Sequence, residues 1–244
     1  MLQKSIIITL FVLSVSTSFA ARRGGGGSGF FSGDHSLGIG ISTVSASQDD
    51  INKAIDDANS QTSGGISTKN LGSGLELFAN WIIRFERSMY SLVLRPGYFT
   101  QNTSGSGNNQ SFDYKFTGLT LFPMMRITPL ENDFIKFFMQ MGLGYGSLDG
   151  DIQAAGSTLK FSGSAFGAIG GLGVDFCFTE AHCLTIEGNV RYLPIARNSA
   201  SAGCASAIPG LSQCGTGQEV ERAQTDLQTT LSGVMGVLAY TLNF

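Results

Sequence analysis

The residues in this chain that could do chemistry are few, and they form two sets. The first is a group of charged and amide side chains that share one parity within apolar stretches. It comprises Glu76, Asn80 and Arg84; Arg95; Arg126; Lys136 and Gln140; Asp175; and Glu187, Asn189 and Arg191. Charges of both signs facing one space could pass ions or protons, or could pair off and fill that space. The second set is four cysteines, 177, 183, 204 and 214. Four cysteines allow three pairings. Spacing and sidedness favour Cys177 with Cys183 across "FTEAH", and Cys204 with Cys214 around a small loop. A metal site lacks histidines and acids at ligand spacing. Only His35 and His182 are present, and no P-loop, dinucleotide fingerprint or HExxH occurs. Neither catalysis nor a cofactor is expected.

A shared parity requires strands, because only a strand sends alternate side chains to opposite faces. Eight are predicted, over 35–46, 70–85, 88–100, 112–127, 134–147, 157–178, 183–197 and 221–244. Most exceed the ~9–11 residues a tilted strand needs to cross a bilayer. The intervening segments 47–69, 101–111, 148–156 and 198–220 read as long polar loops, and the remaining connections are tight. Short turns at one end and long loops at the other is the pattern of membrane barrels. Within the first long loop, Ile51, Ala54, Ile55 and Ala58 lie at i, i+3, i+4 and i+7 behind Asp49 and Asp50. That spacing predicts a short helix folded onto the rim.

Composition agrees. Charged residues make up 14 %, Gly numbers 33 and Pro only 5, against about 25 % charge in a typical soluble chain. The net charge of −3 gives no sign of nucleic-acid binding. Residues 1–20 carry Lys4, an apolar run from Ile6 to Val15 and a small-residue close at Ala20, which together predict a secretory signal peptide cut after Ala20. Residues 21–34 read as a flexible Gly-rich lead-in and 35–244 as a single barrel domain. An even strand number returns both ends of the mature chain to the periplasmic side.

The last strand sets the parity. If Leu238, Tyr240, Leu242 and Phe244 face lipid, so do Leu75, Leu77, Trp81 and Ile83, then Leu92 and Leu94, Leu119, Leu121 and Met125, Phe137 to Leu143 at alternate positions, Val174, Phe176 and Phe178, and Leu184, Ile186 and Val190. The charged set then faces inward. An eight-stranded barrel is only wide enough for side chains to fill it, so the charges should pair. Glu76, Arg95, Glu187 and Arg191 are expected to form an ion-pair network across the lumen, with Glu76 and Arg95 as near-opposite neighbours in the hairpin of the second and third strands. Gly163, Gly167, Gly171 and Gly173 should leave room for the long side chains of the next strand.

The alternating strands, the long loops and the terminal "GVLAYTLNF" resemble the small outer-membrane β-barrels of Gram-negative bacteria, of the OmpA, OmpX and OmpW kind. The peptidoglycan-binding domain of the OmpA type is not seen. The resemblance implies an all-β, eight-stranded antiparallel up-and-down barrel integral to the outer membrane, in contact with membrane lipid and lipopolysaccharide. It also implies that Tyr240, Leu242 and Phe244 are what the barrel-assembly machinery reads. The first functional expectation is a non-enzymatic structural or surface-interaction barrel, with the loop around Cys204 and Cys214 as its contact patch for a surface ligand. The alternatives are a narrow channel or hydrophobic-molecule entry route of the OmpW kind, and a homo-oligomer packed through small lipid-facing residues such as Ala168 and Gly170.

Overall fold

The structure is a computed structural model that describes residues 33–61, 67–85, 88–107, 110–154, 156–204, 208 and 210–244. The expected signal peptide over 1–20 with its cleavage at Ala20, nearly all of the expected 21–34 lead-in, and the expected tight turn at Glu86-Arg87 lie outside these residues.

Strands run over Gly33–Val44 (β1), Gly74–Phe85 (β2), Tyr90–Gly107 (β3), Gln110–Glu131 (β4), Ile135–Ala154 (β5), Ser157–Cys177 (β6) and His182–Tyr192 (β7). Short pieces follow at Pro194–Ile195 (β8), Ser199–Ala202 (β9), Glu221–Arg222 (β10), Thr225–Asp226 (β11) and Thr229–Thr230 (β12), before the closing strand Gly233–Asn243 (β13). Helix α1 spans Asp49–Gln61. β1 to β7 and β13 form one antiparallel ring of eight: each of β1 to β6 pairs with the next, and β13 pairs with both β7 and β1. The ring closes at the terminal strand, where Phe244 and His35 exchange backbone bonds in both directions. A closed ring leaves no strand edge to be satisfied by water, which a lipid-spanning sheet requires.

The pleat sorts the side chains as the alternating pattern predicts. Leu77, Leu119, Met141, Leu143, Val190 and Leu238 are all exposed on the outer face, while Val93, Phe122, Met235 and Val237 are buried inside. The exposed apolar belt is bounded by aromatic residues. Tyr98, Tyr145 and Phe166 lie toward the end that carries the long connections, and Tyr90, Phe137 and Phe176 toward the end with the tight turns. Eight to ten residues separate these rings on β5 and β6. At ~3.3 Å per residue and a tilt of ~40° the belt is about 20–25 Å tall, close to the apolar band of outer-membrane barrels. Ile83 departs from the expected outward set and is only 5 % exposed. Its register partners His35 and Leu92 stand beside it on the same face.

Several boundaries differ from the sequence reading. The segments 101–111 and 148–156, expected as loops, are strand nearly throughout, so β3, β4, β5 and β6 reach 18, 22, 20 and 21 residues. The other four ring strands have only 11 or 12. Half of the barrel therefore rises as a wall above the belt. The segment 221–232 was expected to begin the last strand. It lies instead in the long connection between β7 and β13, where β10 and β11 form a short hairpin and β12 pairs with the distant β8. The expected seventh strand also stops early, at Tyr192.

Candidate functional site

The barrel interior is filled in layers. Near the turn end, Arg84 donates from both terminal nitrogens to Glu131 at 2.8 and 2.6 Å, and Lys136 meets the same carboxylate at 2.8 Å. These donors hold the Glu131 carboxyl at about 2, against an ordinary value of 4.5, with the Arg84 hydrogen bonds the largest cause. The group lies beyond the belt, at the tip of β4.

The middle layer centres on Glu187 of β7. Its carboxylate accepts five hydrogen bonds: two from one Arg95 nitrogen at 2.8 and 2.9 Å, one from Arg126 at 3.2 Å, and one each from Gln140 and Asn189 at 2.9 Å. Arg95 also donates through Nε to Asn80 at 2.7 Å, and Arg126 to Gln140 at 3.0 Å. Both guanidinium groups lie over aromatic rings, Arg95 above Phe78 at 4.6 Å and Arg126 above Phe138 at 3.7 Å. Planar cations stacked in this way keep favourable contact on faces that can donate no hydrogen bond. Gly173 makes the arrangement fit, since a Cβ there would collide with the Phe138 ring.

One layer toward the mouth, Arg191 donates to Glu76 at 2.6 Å and through Nε to the Leu231 carbonyl at 2.6 Å. Glu76, Arg95, Glu187 and Arg191 thus all lie in the lumen, each 3 % exposed or less, but not with the expected partners. In the β2–β3 hairpin Glu76 faces Phe99, not Arg95. The pairs do cross the lumen as expected, Arg95 to β7 and Arg191 to β2. In a barrel this narrow the far wall is within reach of an extended guanidinium.

Above the charges the lumen becomes apolar. Leu193 and Leu231 lie over glycines of three strands: added Cβ atoms at Gly118, Gly146 and Gly167 would approach their side chains to 3.2, 2.9 and 2.8 Å. Phe99, Phe116, Leu148, Leu159 and Phe161 continue this core up the inner face of the wall. Its lid is α1, whose Ile51, Ala54, Ile55 and Ala58 are buried, together with the 193–232 connection. Polar brackets fix both. Asn52 bonds both the N–H and the C=O of Leu71, Asn59 does the same for Thr68, and Gln48 for Thr230. Asn198 accepts from Thr229 and donates to the Leu227 carbonyl. The sequence reading missed these amides. On a helix, Asn at i and i+7 beside an apolar stripe was the only signal for two of them.

Disulfides join Cys177 to Cys183, inward at the turn end, and Cys204 to Cys214 in the mouth connection. His35 and His182 lie at the turn end, against Trp81 and Tyr240. Tyr240, Leu242 and Phe244 are exposed on the outer face of the closing strand, as are Ala168 and, in part, Gly170 on β6. Among the described residues no cluster of His, Cys, Asp or Glu could hold a metal ion.

This closed ring with its lipid-compatible belt has counterparts among solved structures. OprG from Pseudomonas aeruginosa, an OmpW-family protein, aligns over 87 % of this chain and 96 % of its own with a TM-score of 0.58 and 15 % identity. The fold is that of a small outer-membrane β-barrel. A major outer membrane protein from Thermus thermophilus aligns over 86 % of this chain and 99 % of its own (TM-score 0.48, 13 % identity). Ail of Yersinia pestis aligns over 87 % and 99 % (TM-score 0.36, 14 % identity). No protein-family model matches the sequence, and no curated protein matches it.

Proposed function

We propose that this chain is an integral outer-membrane protein without enzymatic activity, which spans the bilayer as a sealed barrel and presents a rigid folded mouth to the cell exterior. The single observation that carries the reading is the filled lumen: charges paired and stacked in the lower half, a continuous apolar core in the upper half, and a lid bolted down by side-chain amides. A conducting pore needs a water-filled interior. A contact surface needs instead a rigid scaffold beneath its loops, and this core provides one. The contact patch we assign is α1 together with the β10–β11 hairpin and the disulfide-closed loop. These are tied together by Arg222 to Asp57 at 2.8 Å and by the Ser212 N–H to the Glu221 carbonyl at 2.9 Å.

In this reading residues 1–20 are removed at Ala20, both ends of the mature chain stay periplasmic, and Tyr240, Leu242 and Phe244 form the signal for the assembly machinery. Deleting Phe244 should then impair insertion more than secretion. Labelling of intact cells with a membrane-impermeant maleimide tests the orientation. A Ser201→Cys variant, at the mouth, should label, and a Ser88→Cys variant, at the turn end, should label only after lysis. The reverse pattern would refute it.

A further inference from the structure

At the turn end, the seam where the ring closes depends on Asn243 of β13. This side chain sits on the inner face, between β1 and the β6–β7 turn. Its Oδ1 accepts from the Ser36 hydroxyl of β1 at 2.8 Å. Its Nδ2 donates to the Glu180 carbonyl at 3.0 Å and lies 3.4 Å from Cys183 Sγ. Its backbone N–H donates to the Ala181 carbonyl at 2.9 Å. Phe244 then completes the seam through its backbone bonds with His35. The Glu180 and Ala181 carbonyls belong to a turn and not to a strand, and Phe178, Thr179 and Glu180 of that turn are exposed. The turn's own backbone bonds are Phe178 N–H to the His182 carbonyl at 2.9 Å and His182 N–H to the Thr179 carbonyl at 3.3 Å.

We propose that the Cys177–Cys183 disulfide is a redox latch on this seam. Oxidised, it fixes the turn whose carbonyls hold Asn243. Reduced, it frees the turn, and the end of β13 frays. The bond lies where a latch must lie: Cys177 and Cys183 are register partners at the two feet of the turn, and both are buried. Fixing an exposed turn costs backbone entropy at each residue, and a cross-link across its feet removes part of that cost in advance. The seam is the place where such a loss matters, because a frayed closing strand leaves backbone groups unpaired at an open edge. Cys177 also lines a cleft of about 570 Å³ between the turns around Asp133 and Thr179, which gives a thiol a route to the bond from the turn end. Closing the latch passes two electrons and two protons from the two thiols to the disulfide of an oxidising partner, by way of a mixed disulfide; a dithiol reverses the exchange. On the periplasmic placement proposed above, the oxidising compartment keeps the latch shut.

The experiment follows amide hydrogen exchange of the purified full-length mature protein in detergent micelles by nuclear magnetic resonance. A Cys204→Ser/Cys214→Ser background leaves one disulfide to reduce. Dithiothreitol added to the folded barrel should speed exchange at the Asn243 and Phe244 amides roughly ten-fold, as local opening of the seam. The Ile41 and Leu238 amides, paired with each other in mid-belt, should be unchanged. A Cys177→Ser/Cys183→Ser variant reaches the open state without reductant and should match the reduced protein. Asn243→Ala should raise exchange at Phe244 in the oxidised protein and add little in the reduced one, because the turn has already let go. Unchanged exchange at both terminal amides in the reduced protein and in the Cys177→Ser/Cys183→Ser variant would overturn the proposal. Fully multiplicative effects of reduction and Asn243→Ala would do the same, since the bond and the side chain would then act on separate anchors. A uniform rise that includes Ile41 and Leu238 would also overturn it, as a general loss of stability. The assay is independent of cellular orientation, which the maleimide labelling decides separately.

Discussion

Removing the charge of Glu187 is the sharpest perturbation of the lumen. Glu187→Gln preserves the volume of the side chain but leaves Arg95 and Arg126 without their shared carboxylate. The substitution also turns one oxygen into a donor. Oε2 accepts from Arg95, Gln140 and Asn189, and Oε1 from Arg95 and Arg126, so either orientation of the amide sets donor against donor. Asp175, at 3.7 Å from Arg126, is the nearest substitute anion and is more solvated. Breaking a buried pair by removing one partner costs about 3–5 kcal/mol, a fifth or more of a typical domain's total stability of ~5–15 kcal/mol. The assay is urea unfolding in detergent micelles, read by tryptophan fluorescence and by the heat-modifiable migration of the folded barrel. The variant should lose about 3 kcal/mol or more. The double variant Glu187→Gln/Arg95→Gln should lose clearly less than the sum of the singles, since the two side chains touch. A loss below ~1 kcal/mol for Glu187→Gln would show that the carboxylate is not the hub of a desolvated network.

Other substitutions probe other layers. Glu76→Ala should cost about 3–5 kcal/mol by stranding Arg191, where Arg95 would be the stranded group had the hairpin pairing expected from sequence formed; a double-mutant cycle against Arg191→Gln distinguishes the two. Leu231→Ala opens the apolar core where Leu231 is fully buried and should destabilise by ~2–5 kcal/mol in the same unfolding assay. Ala223 and Gln224 hold positive φ angles of 48° and 64° at the β10–β11 turn, a geometry that suits Asn-Gly. Gln224→Gly should therefore stabilise by about 0.5–1 kcal/mol, with relief of strain exceeding the added freedom of the unfolded chain. Glu131 has a depressed folded value of about 2 against 4.5, so its stabilising effect is present above pH ~4.5 and is lost as the pH falls toward 2. Wild type should lose stability through that window more steeply than Glu131→Gln, and parallel acid profiles would contradict the ion pair.

The ring of strands was legible because a closed barrel repeats one constraint on every strand. Within the belt, charges on one parity and large apolar residues on the other recur from Glu76 to Arg191, and the terminal Phe244 fixed which was which. Partners within the lumen were not legible. Glu76 and Arg95 belong to neighbouring strands, but pairing depends on strand register and on which wall a long side chain reaches, and no local pattern encodes either. The wall was missed for another reason. Stretches such as 101–111 and 148–156 are rich in Ser, Gly, Asn and Asp, which read as loop. Phe112, Tyr114, Phe116, Leu148 and Ile152 alternate within or beside them at strand period, yet that alternation is stabilising only because α1 and the 193–232 connection supply the other half of the core. The brackets Gln48 and Asn198 were invisible for the same cause, and Asn52 and Asn59 left only their i, i+7 spacing on the helix. A buried amide and a solvated amide have the same sequence, and only the tertiary partner separates them.

A sealed lumen carries no ionic current, and reconstitution of the purified mature protein in planar lipid bilayers measures this. Wild-type barrels should insert without producing step-like currents across about ±100 mV, an applied range of about 2.3 kcal/mol per elementary charge in either direction. Steady, unitary conductance steps from the wild-type protein would contradict the sealed lumen and favour the narrow-channel reading in its place.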